Sequence, residues 1–517
     1  MERKTEKARR RKQRMLKRQR RIEYRLREHQ WDDQAAPMFS AKNIQYEVTE
    51  RDRGLDAGGI GLMHRLARRV GLIEGIDRRL HLLKRHLPYH ESDHVLNIAY
   101  NIVTGGTFLE DLELRRNDEV YMDALGAQRI PDPTTAGDFC RRFGEEDVEV
   151  LMEAINESRL RVWKQQSESF FTEALIDGDG TLAPSTSECK EGMDFSYKGT
   201  WAYHPLVISL ANTQEALYLV NRSGNRHSHE GAATRFDQSI SLCKRAGFRR
   251  ITLRGDTEFT QTRHLDRWFE DGVGFVFGFN ATKTLRETAE KLPKSAWNRI
   301  ARPARYEVKT EQRQRPENVK KQVIVRRQYK NIRLDYEEVA EFEHQPRECK
   351  RPYRMVVVRK NLAVERGEHL LFDDIRYVFY ITEDRQLSAS EIVFKANDRC
   401  NQENLIEQLK NGVSAMKMPV ANLVSNWAYM VMASLAWTLK AWFALSLPER
   451  GRWGKKYAAE KNEVLRMEFK KFVNAFVRVP AQLVKTGRRL VFRLLSWNRY
   501  QHIFIRAVET LARPLLC

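Results

Sequence analysis

Two short apolar runs of the sequence end in carboxylates that are followed by turn-forming residues. The first run closes with Asp177 and Asp179, which alternate with glycines, and the second closes with Asp256. A third acid, Glu403, lies far downstream in a segment with helical spacing. Carboxylate oxygens are the ligands that hard divalent cations prefer, and acids at neighbouring strand ends can share such an ion. These residue types therefore predict metal-dependent chemistry at the rim of a sheet.

The elements that must position these acids follow a recognisable order. Apolar and alternating runs predict five strands and two helices in the order βββαβαβ. This is the order of an RNase H-like fold, an α/β fold with a mixed sheet whose first and fourth strands are neighbours. It predicts that Asp179 and Asp256 meet at one edge of the sheet. The predicted strands are at about 171–179, 202–211, 216–222, 250–256 and 273–279, and the helices are at about 232–246 and 261–270.

The first metal ligand could come from either of two acids. Asp177 and Asp179 are two residues apart on one strand, so both point to the same face. Asp179 is preferred because Gly180 and Thr181 give the close turn beside it, and Asp177 is the alternative. A lone Asp at a strand end usually only forms a turn, but three acids at matching elements favour a metal site. Such acids would hold two Mg²⁺ ions about 3.5–4 Å apart, with Mn²⁺ as a substitute.

Positive charge is concentrated at the N-terminus. The chain has 517 residues with Lys+Arg 90 and Asp+Glu 69, a net charge of +21. The first 30 residues hold 14 Lys/Arg and 4 acids, which is +10 of that net charge. Blocks of this kind bind phosphates without reading sequence, and this block is centred on Arg9, Arg10, Arg11 and Lys12. The charge predicts a polyanionic partner such as double-stranded DNA.

The remaining composition argues against a secreted or membrane protein. Six scattered cysteines without a C-x-x-C pair suggest neither a disulfide framework nor a zinc ribbon, and they indicate a reducing compartment. The N-terminal residues lack the apolar stretch of a secretory signal. The most apolar run, Trp427 to Leu447, contains Lys440 and is predicted to be a buried core helix and not a spanning one.

Six segments are predicted along the chain. Within the last part of the core, the spacing of Arg399, Glu403 and Lys410 predicts that they share one face of a single helix. The segments are a basic arm at 1–57, a helical DNA-binding domain at 58–165, the first part of the RNase H-like core at 166–280, a β-rich insertion at 281–390, the closing helices of the core at 391–447 and a basic C-terminal region at 448–517.

Several motifs resemble those of the DDE-type transposases of bacterial insertion sequences, from about residue 54 almost to the end. Members of that group carry a Tyr-x2-Arg-x3-Glu-x6-Lys pattern, which Arg399, Glu403 and Lys410 match, with Ala396 at the tyrosine position. The other motifs are 105–112 (GGTFLEDL), 130–136 (IPDPTTA), 177–181 (DGDGT), 203–206 (YHPL), 222–225 (RSGN) and 254–256 (RGD).

The resemblance implies an activity, a site and partners. It implies a DNA transposase that binds the terminal inverted repeats of its element, cuts them with metal-activated water and joins the ends to target DNA. Asp179, Asp256 and Glu403 would be the catalytic, metal-binding acids, and Arg399 and Lys410 would bind the phosphates of the transposon end. A homodimer in the DNA complex and a bacterial cytoplasmic, nucleoid-associated location are implied as well. The missing tyrosine hydroxyl removes part of the phosphate clamp.

Two other functions fit the same sequence. The first is an RNase H-like nuclease that cuts DNA without joining it, and a strand-transfer assay separates it from a transposase. The second is a DNA-binding protein without catalytic activity, which the presence of all three acids argues against.

Two further groups of residues are weaker candidates. Four tyrosines of the insertion could stack an extruded base, although packing is the more common role for a tyrosine. The run from His227 to Glu230 could bind a transition metal, but a hydrogen-bonding or DNA-contacting loop is favoured there. The tyrosines are Tyr306, Tyr329, Tyr336 and Tyr353.

Overall fold

The chain forms two compact units, each assembled from segments that are distant in sequence. The six segments predicted from the sequence are finer than this division and stay a prediction. The first unit contains Met1–Gln166, Cys189–Glu191 and Glu407–Cys517, and the second contains Ser167–Glu188 and Gly192–Ile406. The computed structural model describes residues 2–27, 41, 44–46, 52–301, 331–365, 374–449, 451–486 and 489–513.

The N-terminal part of the first unit is mainly helical. Apolar residues at helical spacing, such as Leu62 and Leu66, are buried on one face of their helix. The Asp132 side chain accepts the Thr135 backbone N–H and caps the helix that begins at Pro133. The elements are α1 (Glu2–Arg25), β1 (Gly54–Leu55), α2 (Ile60–Arg69), α3 (Leu72–Arg79), α4 (Glu91–Val103), α5 (Leu112–Arg116), α6 (Glu119–Leu125), α7 (Pro133–Cys140) and α8 (Glu145–Trp163).

The second unit is built on a mixed β-sheet. Its first part runs from residue 173 to residue 279 and alternates strands with two helices. The elements are β2 (Glu173–Gly180), β3 (Ala183–Pro184), β4 (Asp194–Phe195), β5 (Trp201–Tyr203), β6 (Leu206–Leu210), β7 (Glu215–Val220), α9 (Ala232–Ala246), β8 (Arg250–Gly255), α10 (Leu265–Glu270) and β9 (Gly274–Phe279).

Five of these strands form the RNase H-like part of the sheet, in the order β7-β6-β2-β8-β9. Strand β2 is antiparallel to β6 and parallel to β8, and β8 is parallel to β9. The first and fourth of the predicted strands are therefore neighbours. The predicted fold class, an RNase H-like α/β core, is confirmed.

The single strand predicted at 202–211 is wrong, because the structure has two strands there. Strand β5 joins a small sheet with β3 and β4, whereas β6 belongs to the main sheet. Pro205 lies between them, and a proline has no N–H to donate to a ladder. The Pro205 carbonyl instead accepts the Thr181 N–H at 2.9 Å.

The β-rich insertion extends the core sheet. Its long strands continue the sheet beyond β9 in the order β9-β13-β12-β11-β10. Apolar residues of β9 and of the insertion strands, among them Val276, Val339 and Val356, form one buried cluster. The insertion and the RNase H-like strands therefore share one continuous sheet. Its elements are α11 (Lys283–Glu290), β10 (Asn298–Arg299), β11 (Asn331–His344), β12 (Tyr353–Glu365) and β13 (Asp374–Thr382).

The closing region is two helices and a π-helical turn, so the prediction of one regular helix over 399–410 is wrong. Helices α12 (Ala389–Asn397) and α13 (Cys400–Glu407) are followed by the π-helical turn Gln408–Gly412. The i→i+5 hydrogen bonds of the π-helical turn interrupt the period of 3.6 residues per turn. The prediction that Arg399, Glu403 and Lys410 share one helical face depended on that period. A tertiary contact favours this turn, because the Gln408 side chain accepts the Phe469 N–H at 2.9 Å.

A long apolar helix is the centre of the C-terminal part of the first unit. Helix α14 (Leu423–Leu445) is buried from Ser425 onward and packs against α4 and α8. By length and composition it could cross a membrane, but its most apolar stretch is entirely buried inside the protein. This matches the predicted core helix. The later elements are α15 (Gly454–Arg466), α16 (Phe469–Phe472), β14 (Ala481–Thr486), β15 (Arg489–Leu494) and α17 (Gln501–Leu511).

Candidate active site

Two of the three predicted acids lie at the C-terminal ends of neighbouring parallel strands, Asp179 within the end of β2 and Asp256 directly after β8. In the ladder between β2 and β8, Asp177 is opposite Arg254 and Gly178 is opposite Gly255. Continuing this register by one residue brings Asp179 beside Asp256. The structure therefore brings these two acids to one edge of the sheet.

The glycines between and after the first acids are required by close packing. A Cβ on Gly178 would lie 2.6 Å from the Phe236 ring, and a Cβ on Gly180 would lie 2.9 Å from His204 Nε2. Both distances are shorter than contacts a side chain tolerates, so larger residues would push the strand end away from its neighbours. The alternation of aspartate and glycine thus fixes how Asp179 is presented.

Asp177 points into the protein and is engaged by an arginine. Arg254 Nε donates to Asp177 Oδ1 at 2.6 Å and Nη2 donates to Oδ2 at 2.8 Å. Both side chains are only 1% exposed. Because both carboxylate oxygens accept from this guanidinium, the geometry favours Asp179 over Asp177 as the first metal ligand.

The third acid is carried by a helix that is pinned to the sheet. The neighbouring Gln402 is buried, and its Nε2 donates to the carbonyls of Asp177 and Val207, each at 3.1 Å. These carbonyls belong to β2 and β6, so the start of α13 is held against two core strands. Glu403 follows directly and its side chain is exposed.

The electrostatics of Asp179 reflect the closeness of the other two acids. Burial raises the pKa of Asp179 to about 6, the Arg399 guanidinium lowers it, and the charges of Asp256 and Glu403 raise it. Like charges that disfavour one another's ionised form can be neutralised by a shared cation. The donors are all carboxylates, which suit Mg²⁺ or Mn²⁺, so the residues present fit a hard divalent ion.

The two cations of the predicted phosphate clamp, Arg399 and Lys410, lie at different elements of the closing region. Arg399 immediately precedes α13, and its Nη1 lies 3.3 Å from Asp179 Oδ2. Lys410 lies in the π-helical turn, which belongs to the first unit. Ala396, at the tyrosine position of the motif, lies in the last turn of α12 and packs against the apolar cluster of the sheet.

Sequence reasoning missed the ionic contacts that hold α12 in place. Arg254 Nη1 also donates to the Lys395 carbonyl at 2.9 Å. Lys395 Nζ in turn donates to Glu173 Oε1 at 2.8 Å, and the same oxygen accepts the Thr252 hydroxyl at 2.7 Å. One signal for this network was Arg254 itself, an arginine within a predicted core strand, because a buried guanidinium requires acceptors for its N–H groups.

The loop after β7 owes its shape to another buried arginine. Arg222 Nε donates to the His204 carbonyl at 2.9 Å, and Nη1 donates to the carbonyls of His227, Ser228 and Glu230. Burial lowers the pKa of Arg222 to about 10. The 203–206 and 222–225 motifs thus meet in one hydrogen-bonded structure.

This loop borders a polar cleft that adjoins the second acid. The cleft has a volume of about 410 Å³, and its lining includes Thr257 and Glu258, the two residues after Asp256. The His227 and His229 rings also line it and are stacked with centroids 5.7 Å apart. Their assignment to a DNA-contacting loop stays a prediction.

The tyrosines of the insertion differ in their availability. Tyr353 is buried, and its hydroxyl donates to Asp266 Oδ1 at 2.6 Å, so its ring is part of the packing. Tyr353 therefore has the packing role that the sequence favoured for these tyrosines, and its ring is not available to stack a base. Tyr336 is half-buried on β11. Tyr306 and Tyr329 lie outside the described residues.

Comparison with known proteins identifies the family. No curated protein matches the sequence. Among solved structures, the chain is similar to the piggyBac transposase in a cryo-EM structure of its synaptic complex with hairpin DNA, with a TM-score of 0.35 and 10% identity over 82% of this chain and 80% of that one. A likeness of that size does not identify an activity. A model of the family described as transposase DDE domain group 1 matches residues 39–515, and the chain belongs to that family.

Proposed function

We propose that this chain is the transposase of a bacterial insertion sequence. It would bind the terminal inverted repeats of its element, cut the DNA at their ends and join the freed 3′-hydroxyl to target DNA. The observation that supports this proposal is the arrangement of Asp179 and Asp256 at adjacent strand ends, with Glu403 on a helix pinned to the same strands.

The proposed roles follow from the position of each side chain. Asp179, Asp256 and Glu403 would hold two Mg²⁺ ions, for which Mn²⁺ can substitute. When bound, these ions supply an activated nucleophile and neutralise the leaving oxygen. Asp256 also caps the turn that follows it, because its Oδ1 accepts the Glu258 N–H at 2.9 Å, and this bond fixes the orientation of its carboxylate. Arg399 would bind a backbone phosphate beside Asp179, and Lys410 would bind another.

Two matched pairs of substitutions test the acids. Asp256→Asn and Glu403→Gln remove one charge each from the candidate site, whereas Asp271→Asn and Glu407→Gln remove one charge from exposed positions nearby in the sequence. Loss of an outer-shell partner costs roughly 10–100-fold in metal-dependent activity, so loss of a ligand is expected to cost at least about a hundredfold. The measurement is excision from a donor plasmid with Mg²⁺. Unchanged excision by Asp256→Asn would rule out the catalytic role.

A strand-transfer assay distinguishes a transposase from a nuclease. Labelled DNA carrying the element's inverted repeat is incubated with a supercoiled target plasmid and Mg²⁺. A transposase gives joined products, whereas an RNase H-like nuclease leaves only hydrolysis products. Joined products should disappear with Glu403→Gln and persist with Glu407→Gln. Inverted repeats flanking the gene would provide the substrate sequence for this assay.

The assembly and location are part of the same proposal. A homodimer would pair two transposon ends, and the protein would act in the bacterial cytoplasm on the nucleoid. Sedimentation of the chain with end-containing DNA should give a complex of two chains with two DNA ends. A complex of one chain with one end, at all protein concentrations, would contradict the pairing.

A further inference from the structure

A cluster of two histidines and a glutamate lies in the first unit, at the turn between α3 and α4. In the part of the chain that the structure describes, His86, His90 and Glu91 form a group in which one ligand atom from each residue lies within 4.8 Å of the others. The proposed reaction does not use these residues. Imidazole nitrogens suit transition metals, which separates this cluster chemically from the all-carboxylate candidate active site.

The glutamate of this cluster is oriented by the backbone. Its side chain is 1% exposed. Oε1 accepts the N–H groups of Leu82 and Leu83 at 3.0 and 2.9 Å, which fixes the plane of the carboxylate. The other oxygen, Oε2, faces His86 Nε2 at 3.1 Å. Hydrogen bonds that hold one carboxylate oxygen and direct the other outward are the usual support of a metal ligand.

One of the separations between the ligand atoms is close to that of a zinc site, and all three atoms lie within 4.8 Å of one another. Zinc lies about 2.0–2.2 Å from nitrogen and oxygen ligands in tetrahedral geometry, so neighbouring ligand atoms are about 3.4 Å apart. The separation of 3.1 Å between His86 and Glu91 is near that value. The His90 ring stacks on the His86 ring with centroids 4.2 Å apart and a 22° interplanar angle. Both histidines are exposed, so their side chains have room to turn toward one ion.

We propose that His86, His90 and Glu91 bind one Zn²⁺ ion, with water as the fourth ligand. Binding would replace the contact between His86 and Glu91 by two metal–ligand bonds, and any proton on the imidazoles would be released to solvent. The ion would link the segment before α4, which contains His86 and His90, to Glu91, the first residue of that helix. It would stabilise the first unit, and this inference does not depend on the proposed function.

The test measures zinc in a full-length chain whose carboxylate site is disabled. Asp179→Asn, Asp256→Asn and Glu403→Gln are combined so that zinc cannot bind there. After equilibrium dialysis against micromolar ZnCl₂, mass spectrometry of the metal should find one Zn²⁺ per chain. His86→Asn and His90→Asn, each added to this parent, should weaken binding at least about tenfold. Both positions are exposed, so these substitutions should preserve the fold, which circular dichroism checks.

A second histidine pair provides the matched control. His227→Asn combined with His229→Asn in the same parent should bind zinc as the parent does. Zn²⁺, but not Mg²⁺, should raise the melting temperature of the parent by a few degrees and leave that of the His86→Asn chain unchanged. The proposal is overturned if the parent takes up no stoichiometric zinc, or if uptake survives in the His86→Asn and His90→Asn chains.

Discussion

Asp177 and Asp179 are two residues apart, and burial raises the pKa of both, but their charged partners differ. Asp177 is buried against Arg254, which donates to both of its oxygens. Asp179 has a raised pKa, first because of burial and also because Asp256 and Glu403 are close. The charge on the first acid is therefore compensated by a buried arginine, whereas the charge on the second is opposed by two neighbouring acids. A structural acid and a cation-binding acid are expected to differ in this way.

This difference predicts opposite effects of two substitutions on the metal-free protein. Asp177→Asn removes the carboxylate that accepts from two N–H groups of the buried Arg254 and leaves the exposed Asp398, 3.6 Å from Nη1, as its ionic partner. Breaking a buried pair costs about 3–5 kcal/mol. Asp179→Asn removes a charge that the site disfavours, so the free energy of unfolding should rise. The measurement is urea denaturation at pH 7.5 in EDTA. If both variants change stability in the same direction, the assignment of distinct roles is wrong.

An exposed ion pair in the same unit is the control for that experiment. Arg249 lies 3.2 Å from Glu168, and their side chains are 65% and 93% exposed. Exposed ion pairs contribute about 0–1 kcal/mol to the free energy of unfolding. Glu168→Gln should therefore change the free energy of unfolding by less than about 1 kcal/mol.

At this scale the strand-end positions of Asp179 and Asp256 could be predicted, but the contacts that support the site could not. Asp179 and Asp256 were identifiable because each ends an apolar run and is followed by turn residues. The partners of Arg254 and Gln402 could not be predicted, because they depend on strand register and on contacts across 77 and 225 residues of chain. Those contacts form only when the sheet assembles.

At the scale of elements, the prediction failed at one place that had a local signal and at one that had none. Pro205 divided a predicted strand, a signal that was present in the sequence. The π-helical turn after α13 had no such signal, because it is favoured by a side-chain contact from Gln408 to Phe469, 61 residues away. The order of strands and helices along the chain was predictable because apolar runs alternate with helical patterns.

Helix α13 offers a test of how an element positions the third acid. Gln402→Ala leaves two buried carbonyls without their donor, which should lower the free energy of unfolding by roughly 1–3 kcal/mol. The start of α13 should then loosen, so DNA cleavage should need a higher Mg²⁺ concentration. Asn404→Ala, at an exposed position of the same helix, is the control and should change neither quantity. Cleavage is titrated with Mg²⁺ for both variants; an unchanged Mg²⁺ requirement with Gln402→Ala would contradict the positioning role.

Helix α14 carries a buried lysine that makes stability depend on pH. Burial lowers the pKa of Lys440 to about 7. Between pH 7 and the ordinary pKa of lysine, the unfolded chain binds the proton and the folded chain does not, so this group makes stability rise with pH. The slope is up to about 1.4 kcal/mol per pH unit.

Lys440→Met should remove this dependence. The variant should be more stable than the wild type at pH 6, and the difference should shrink toward pH 10. Urea denaturation at several pH values measures it. The lysine also donates to the Leu465 carbonyl and lies 3.9 Å from the Trp437 ring centroid, so some stabilising contacts are lost at every pH. A difference that does not vary with pH would show that the lysine is not neutralised by burial.

At the scale of the whole molecule, the basic N-terminal helix and the candidate catalytic acids lie in different segments of the chain. The N-terminal helix α1 belongs to the first unit, and the candidate acids belong to the second. In the first unit a groove of about 1590 Å³ is lined by arginines from α1, α2 and β15 and by apolar side chains from β15 and α17. The sequence predicted the basic arm but not this groove, because the groove requires both chain ends to meet.

The basic arm should set the salt dependence of DNA binding. Arg9, Arg10, Arg11 and Lys12 are all exposed, although Arg11 also pairs with Glu509 at 2.6 Å. Each cation that contacts a phosphate contributes about 0.9 to the slope of log affinity against log salt. Replacing all four by glutamine should therefore weaken binding to DNA of any sequence and flatten that slope, as fluorescence anisotropy between 50 and 300 mM NaCl can measure.

The control for the arm removes the same charge from the second unit. Four exposed cations in and just after α11, replaced together by glutamine, lower the net charge by four without touching α1. If long-range attraction alone governed binding, both variants would lose affinity equally. If the arm contacts phosphates, only its own variant should flatten the salt slope, because counterion release requires a bound cation at the phosphate. Equal slopes for both variants would contradict a direct role for the arm. The control residues are Lys283, Arg286, Lys291 and Lys294.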